Sequence, residues 1–282
     1  MARTATLARG TAAERLLRAA RYEVLPTKTI EEKVLSAVPK DVALTVTASP
    51  AKGIEPTVEL AERFAAHGYA VVPHLSARLI RDGAHLADLV ARCKAAGIDA
   101  VFVPAGDADP PAGEWDAALP ALQELSRQGS PFSTVGITGY PETHPAIDDD
   151  VTVQAMWDKR SHATEIVSNL CFDPALIASW VKRVRRRGVT LPVQMGIAGP
   201  VEATKLLTMA SKVGVGESTR FLTKHAGWFA RIANPGYSPE RLLQRVAKEV
   251  GGEEWGVAGL HVFTFNQVAE TEAWRRRLLG EA

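Results

Sequence analysis

Glu23 is the charged residue in an otherwise apolar run, YEVLP (residues 22–26). A carboxylate on a buried strand loses solvation, which raises its pKa and lets it hold a proton near neutral pH as a general acid. On a frayed, exposed first strand the same residue would be only a surface charge. Asp107 follows Gly106 in VPAGDADPP (103–111); Asp at such a place either caps the next helix or faces a substrate as an ionised acid. His74, directly after Pro73 in VPHLS, is either a hydrogen-bonded core histidine or a ligand contact. Asn169 interrupts IVSNLCF, and a buried amide must be satisfied by loop backbone or by the edge of a ligand. Thr45, Thr47, Ser76, Tyr140, Glu142, His144, Gln194, Thr264 and Asn266 are the further polar residues at comparable positions.

Other chemistries find little support in the residue pattern. There is no GxSxG or Cys/His arrangement for a covalent nucleophile. No His/Cys/Asp pairs stand at ligand spacing, so no metal site is expected, and HLADLVARC reads as a helix. Cys93 and Cys171 are far apart without a CxxC pattern and read as buried, reduced thiols. GVGEST (214–219) follows a helical segment and reads as a loop instead of a dinucleotide fingerprint. The basic run VKRVRRRG (181–188) reads as a solvated helix end favoured by the helix dipole.

The elements that must position these residues recur in one pattern: a short β-branched run, a polar or Gly/Pro turn, then ten or more residues with helical periodicity. The predicted strands are 21–26, 42–49, 69–76, 100–107, 133–141, 165–172, 192–199 and 259–266. Helices such as PTVELAERFAAHG, DGAHLADLVARCKAAG, WDAALPALQELSRQG and DPALIASWVKRVRRRG lie between them, most ending in the Gly expected past a helix C-terminus. Alternation of this kind demands parallel pairing, and eight units predict a closed (β/α)8 TIM barrel. The competing doubly wound sheet would carry a glycine-rich phosphate loop after an early strand, and RYEVLPTKT has no glycine. An amphipathic N-terminal helix is expected within residues 1–20, ahead of a barrel domain over 21–282, and the long gap 200–258 should hold two or three helical pieces. In such a barrel the site is built at the C-terminal ends of the strands, where all the polar residues named above fall.

Length alone leaves one or two domains open, and it falls within the range of a single α/β barrel. The 282 residues are 46% hydrophobic and 23% charged, with a formal net charge of +1, which removes any global electrostatic case for nucleic acid or an anionic membrane. No stretch approaches the ~18 consecutive apolar residues of a membrane span, and no secretory signal is evident, so a cytoplasmic protein is expected. The residues leave oligomeric state open.

YEVLPTKT resembles the FEFFPPKT of methylenetetrahydrofolate reductases. VPHLS, the Gly-Asp of PAGDADPP, GYPETHP and GLHVFTFN follow in that family's order, over roughly residues 21–275. The resemblance implies a (β/α)8 barrel that reduces 5,10-methylenetetrahydrofolate to 5-methyltetrahydrofolate with electrons from NADH or NADPH, a step that supplies methyl groups for methionine synthesis. It implies Glu23 as general acid, Asp107 as the carboxylate facing the pterin and favouring a cationic iminium, and Asn169, in place of the family's glutamine, with Gln194 in binding folate. Thr47, His74, Tyr140, His144 and Lys159 fall on the cofactor side.

The departures from the family concern flavin. Its RGD at the fourth strand is AGD here, so Ala105 replaces an arginine that would contact the FAD diphosphate with charge-assisted bonds. HPE has become HPA at Ala146, and the loops after the second and fourth strands lack the family's tyrosines. The sequence therefore predicts direct hydride transfer from nicotinamide without flavin, with His74, Tyr140 and His144 holding NADH. The alternatives are a conventional FAD-dependent reductase, a non-catalytic folate-binding barrel and a barrel acting on an unrelated substrate.

Overall fold

The computed structural model describes residues 6–142, 149–201 and 238–281. Eight strands alternate with helices along the chain: β1 (Arg21–Val24), β2 (Ala43–Val46), β3 (Val71–Pro73), β4 (Ala100–Phe102), β5 (Thr134–Gly139), β6 (Glu165–Ser168), β7 (Val193–Ala198) and β8 (Val257–Phe263). All pairings are parallel, in the order β3-β2-β1-β8-β7-β6-β5-β4. The two ends of this sheet meet through a parallel bridge between His74 and Phe102 and the Leu75 N–H donating to the Phe102 carbonyl at 2.8 Å. The predicted barrel is therefore present, and His74 stands at the seam that closes it.

Each predicted strand coincides with an observed one, but the predictions run past the C-terminal ends. His74, Asp107, Tyr140 and Asn169 all lie one to five residues beyond their strands. The outer ring is formed by α1 (Ala12–Arg18), α2 (Ile30–Ala37), α3 (Glu55–Ala66), α4 (Gly83–Ala95), α5 (Ala118–Arg127), α6 (Asp149–Lys159), α7 (Pro174–Arg186), α8 (Pro239–Val250) and α9 (Val268–Leu279). The N-terminal helix starts only at Ala12, because Gly10 takes φ +75° and Thr11 caps it by accepting from the Glu14 N–H. Asp82 and Asp173 cap α4 and α7 in the same way, each satisfying N–H groups that have no partner within the helix. Of the 200–258 gap, the described part holds α8 and a short 3-10 turn; GVGEST and most of the expected helical pieces lie outside the described residues.

Alternation along the strands sorts the side chains into two layers. Tyr22, Val24, Leu44 and Val46 point outward and are fully buried against the helices, with the Tyr22 hydroxyl donating to Glu272 of α9 at 2.8 Å. The partner parity, Arg21, Glu23, Thr45, Val72, Phe102, Val167, Gln194, His261 and Phe263, fills the barrel interior. Its floor is polar: Arg21 pairs with Glu165 and Gln194 donates to the same carboxylate at 3.4 Å. Above that lies an apolar plug of Val72, Phe102 and Val167. In the basic end of α7, Arg185 departs from the solvated-face expectation: its guanidinium turns in to donate to the carbonyls of Trp255 and Val189 at 2.8 and 2.7 Å, closing the loop before β8.

Candidate active site

Glu23 sits on β1 between β2 and β8 in the middle of the sheet order, so the frayed-strand alternative does not hold. Its side chain is 13% exposed, and its Oε2 lies 3.0 Å from His261 Nε2 on the adjacent β8. Among the described residues its other oxygen, Oε1, has no protein hydrogen bond. The Glu23 carbonyl accepts from the Thr264 hydroxyl at 2.6 Å. Asn266 then clamps the exit of β1: its Oδ1 accepts from the Leu25 N–H at 2.8 Å, and its Nδ2 donates to the Leu25 carbonyl at 3.0 Å and to Thr27 Oγ1 at 3.2 Å. Asn266 takes φ +60°, a left-handed geometry that Asn tolerates better than most residues. The acid is thus held from its side chain and from its backbone by one strand end.

His74 completes a cluster with Glu23 and His261, in which one donor atom from each residue lies within 4.8 Å of the others. The His74 ring meets Phe102 edge-on at 4.8 Å and the His261 ring meets Phe263 likewise at 4.9 Å, fixing both orientations. Among the described residues, His74 Nε2, His261 Nδ1 and Thr45 Oγ1 are buried with no hydrogen-bond partner. Such atoms cost about 1–3 kcal/mol each when left unmet, which marks this interior as built to receive polar atoms. Burial holds the His74 imidazole down at about 4, with the neighbouring Glu23 carboxylate opposing that shift and His261 adding to it. His74 is therefore neutral at physiological pH. The sequence expectation of no metal site rested on local spacing; these three residues, from β1, the end of β3 and β8, are the described ones that could hold an ion.

Asp107 lies in the loop after β4, exposed and eleven residues before α5, whose cap residue is Ala117. The helix-cap alternative is therefore overturned. Gly106 sets its direction: the backbone takes φ +87°, and a Cβ there would stand 2.9 Å from Ser76 Cβ. Tyr140, after β5, is close enough for the Asp107 charge to reinforce the burial that raises its phenol pKa, while a hydrogen bond with Thr138 opposes the rise. Asp107 and Tyr140 thus share one side of the mouth. Thr47, after β2, is tied through its backbone, its carbonyl accepting from Thr57 Oγ1 at 3.0 Å.

Three expected residues are placed differently. Asn169 Oδ1 accepts from the Leu170 N–H at 2.8 Å, so the amide oxygen serves the loop backbone. Gln194 lies near the start of β7 and reaches the Glu165–Arg21 pair at the barrel floor, not the mouth. Lys159 ends α6, just before the turn into β6, so the topology carries it toward the N-terminal ends of the strands. His144 lies outside the described residues. His261 lies within GLHVFTFN, where residue type and strand-end position pointed only to Thr264 and Asn266; its signal was its inward parity with Gly259 and Phe263.

Ala105 presents only a methyl group at the loop where flavin-binding relatives are expected to place arginine. The cation lying against this loop, Arg78, is committed to it: Nε donates to the Ala108 carbonyl at 2.5 Å and NH1 to the Asp116 carbonyl at 3.1 Å, with Asp109 at 3.4 Å. The Arg78 guanidinium is thus engaged by the loop itself.

The profile of the methylenetetrahydrofolate reductase family matches residues 27–273. Among solved structures, the chain is similar to a 2,3-dimethylmalate lyase described as a PEP mutase/isocitrate lyase superfamily member, with a TM-score of 0.53 and 14% identity over 96% of this chain and 87% of that one. It is also similar to an oxaloacetate acetylhydrolase, with a TM-score of 0.52 and 11% identity over 96% and 86%. At these identities the structural likeness speaks for the barrel alone.

Proposed function

The chain belongs to the methylenetetrahydrofolate reductase family, and on that premise we propose that it reduces 5,10-methylenetetrahydrofolate to 5-methyltetrahydrofolate with hydride taken directly from NADH or NADPH, without flavin. The observation that carries this reading is the inward carboxylate of Glu23, held through one oxygen by His261 while the other makes no hydrogen bond among the described residues. Reduction requires the five-membered ring joining two folate nitrogens to open. Glu23 gives a proton to the departing nitrogen as the carbon–nitrogen bond breaks, and the remaining nitrogen and methylene carbon become an iminium. Asp107, an exposed carboxylate on the loop after β4, stabilises that cation. The nicotinamide supplies the hydride that converts the methylene carbon to a methyl group.

In this reading His74 and Tyr140 line the nicotinamide side. The neutral His74 imidazole adds no positive charge beside the iminium, and the raised phenol pKa keeps the Tyr140 hydroxyl available as a donor. Alanine at position 105, in place of the family's arginine, supports a flavin-free path. Asn169 retains its amide NH2 for the pterin edge, while the placement of Gln194 and Lys159 removes support for their folate and cofactor roles.

The test is NADH oxidation by dialysed protein with methylenetetrahydrofolate, with and without added FAD. The expected result is turnover independent of FAD, reduced about 100-fold or more in Glu23→Gln with folate still bound. Turnover that requires FAD refutes the flavin-free path, and unchanged turnover in Glu23→Gln removes Glu23 as the acid.

A further inference from the structure

The cluster of Glu23, His74 and His261 has a composition that proton donation alone does not require. Three strands deliver one carboxylate oxygen and two imidazole nitrogens to within 4.8 Å of one another. The phenyl rings of Phe102 and Phe263 hold the two imidazoles edge-on. Among the described residues, His74 Nε2 is buried with no hydrogen-bond partner, so its nitrogen has no protein N–H or O–H from them to satisfy it.

Two imidazoles and a carboxylate match the preference of borderline first-row ions, Zn²⁺ and Co²⁺ among them, and three protein ligands are one fewer than a four-coordinate ion takes. Bonds of about 2.0–2.2 Å to such an ion set tetrahedral donors roughly 3.3 Å apart. Glu23 Oε2 and His261 Nε2, at 3.0 Å, already stand near that separation. The other donor pairs lie within 4.8 Å. One carboxylate and two neutral imidazoles would leave a bound divalent ion with a net charge of +1, and Glu23, at 13% exposure, keeps it near solvent.

We propose that Glu23, His74 and His261 form a binding site for a divalent transition-metal ion of the zinc class, and that an ion bound there takes Glu23 out of service as a proton donor. The first part stands on the geometry alone; the second rests on the reductase reading. His261 Nδ1 has no partner among the described residues, and a metal-bound histidine gains affinity by donating from its second nitrogen to a fixed acceptor. The site therefore lacks the outer support of a resident structural zinc. It binds reversibly and acts as an inhibitory site.

The experiment titrates Co²⁺ into full-length, chelator-treated protein and follows visible d–d absorption, then displaces Co²⁺ with Zn²⁺. The expected result is one equivalent of Co²⁺ with low-symmetry, intense bands, Zn²⁺ displacement, and binding weakened about tenfold or more in Glu23→Gln and in His74→Gln. His67→Gln, at an exposed histidine paired with Glu31, serves as the control and leaves binding unchanged. Glu23→Gln preserves shape and keeps the test valid where His74→Gln disturbs the barrel seam. No saturable binding, or binding indifferent to both substitutions, overturns the site. In a second arm, Zn²⁺ should inhibit NADH oxidation by the wild type reversibly, with full recovery on chelation. Co²⁺ binding in a protein without reductase activity would leave the site standing and defeat the reductase reading, whereas activity with no metal binding would do the reverse.

Discussion

Asn266→Ala should damage both stability and turnover, although Asn266 touches neither the reacting carboxylate nor, in this reading, the substrate. The substitution removes three hydrogen bonds, from 2.8 to 3.2 Å, that join the exit of β8 to Leu25 and Thr27 after β1. Each is worth about 1 kcal/mol net, since the partly exposed Leu25 and Thr27 regain some hydration. Alanine must also keep φ +60°, which costs about 1 kcal/mol more than Asn because its Cβ crowds the carbonyl without a compensating local bond. The total is about 4 kcal/mol. Urea unfolding followed by circular dichroism measures it as a shift in midpoint at constant slope. Asn266→Gly loses the same bonds without the backbone penalty and should be about 1 kcal/mol more stable than the alanine variant. Because Leu25 follows Glu23 by two residues, kcat should fall while the folate KM changes little. A loss under about 1 kcal/mol in Asn266→Ala, or equal stability of the two variants, would refute the clamp.

Further outcomes follow from other parts of the molecule. Gly106→Ala puts a Cβ 2.9 Å from Ser76 Cβ at φ +87°; it should lower the melting temperature by an amount equivalent to about 2 kcal/mol and raise the folate KM by displacing Asp107, and a neutral effect on both would remove Gly106 as the director of that loop. Burial holds the Lys159 ammonium down to about 8 from 10.5. Below pH 8 the lysine is charged in both folded and unfolded chains and destabilises the fold in full; between pH 8 and 10.5 the folded form sheds its proton and the penalty fades. Lys159→Met should therefore stabilise at pH 7 by about 1–2 kcal/mol, after allowance for partial exposure, with the gain vanishing above pH 10.5 and the NADH KM unchanged. A raised KM would return Lys159 to the cofactor site.

The barrel was legible because β-branched runs such as YAVVP and PVQMGIAG alternate with amphipathic segments, and both periodicities are local properties. The strand ends were less so: Tyr140 and Asn169 come directly after the last residues of β5 and β6, and His74 keeps only a single bridge after β3, a difference of pairing that residue types do not carry. Asp107 does follow the end of β4, and its capping alternative fell to the distance from α5. Gln194 failed because it lies at the beginning of β7, where inward parity leads to the Arg21–Glu165 floor. His261 and the Glu23–His74–His261 cluster were invisible to a search for close ligand spacing, since the barrel brings together residues that are remote in sequence. Arg185 broke the solvated-run reading because one arginine among several can turn inward to loop carbonyls that only folding supplies.

Direct hydride transfer is tested by following the label. Chelator-treated protein, with its flavin content left as purified, is given methylenetetrahydrofolate and NADH deuterated at the transferred C4 position, and the methyl group of the 5-methyltetrahydrofolate formed is analysed by mass spectrometry. Transfer straight from nicotinamide predicts a methyl group that retains the deuterium in full in ordinary water. Passage through a reduced flavin, whose N5 hydrogen exchanges with solvent, would wash the label out, and an unlabelled methyl group would contradict the account.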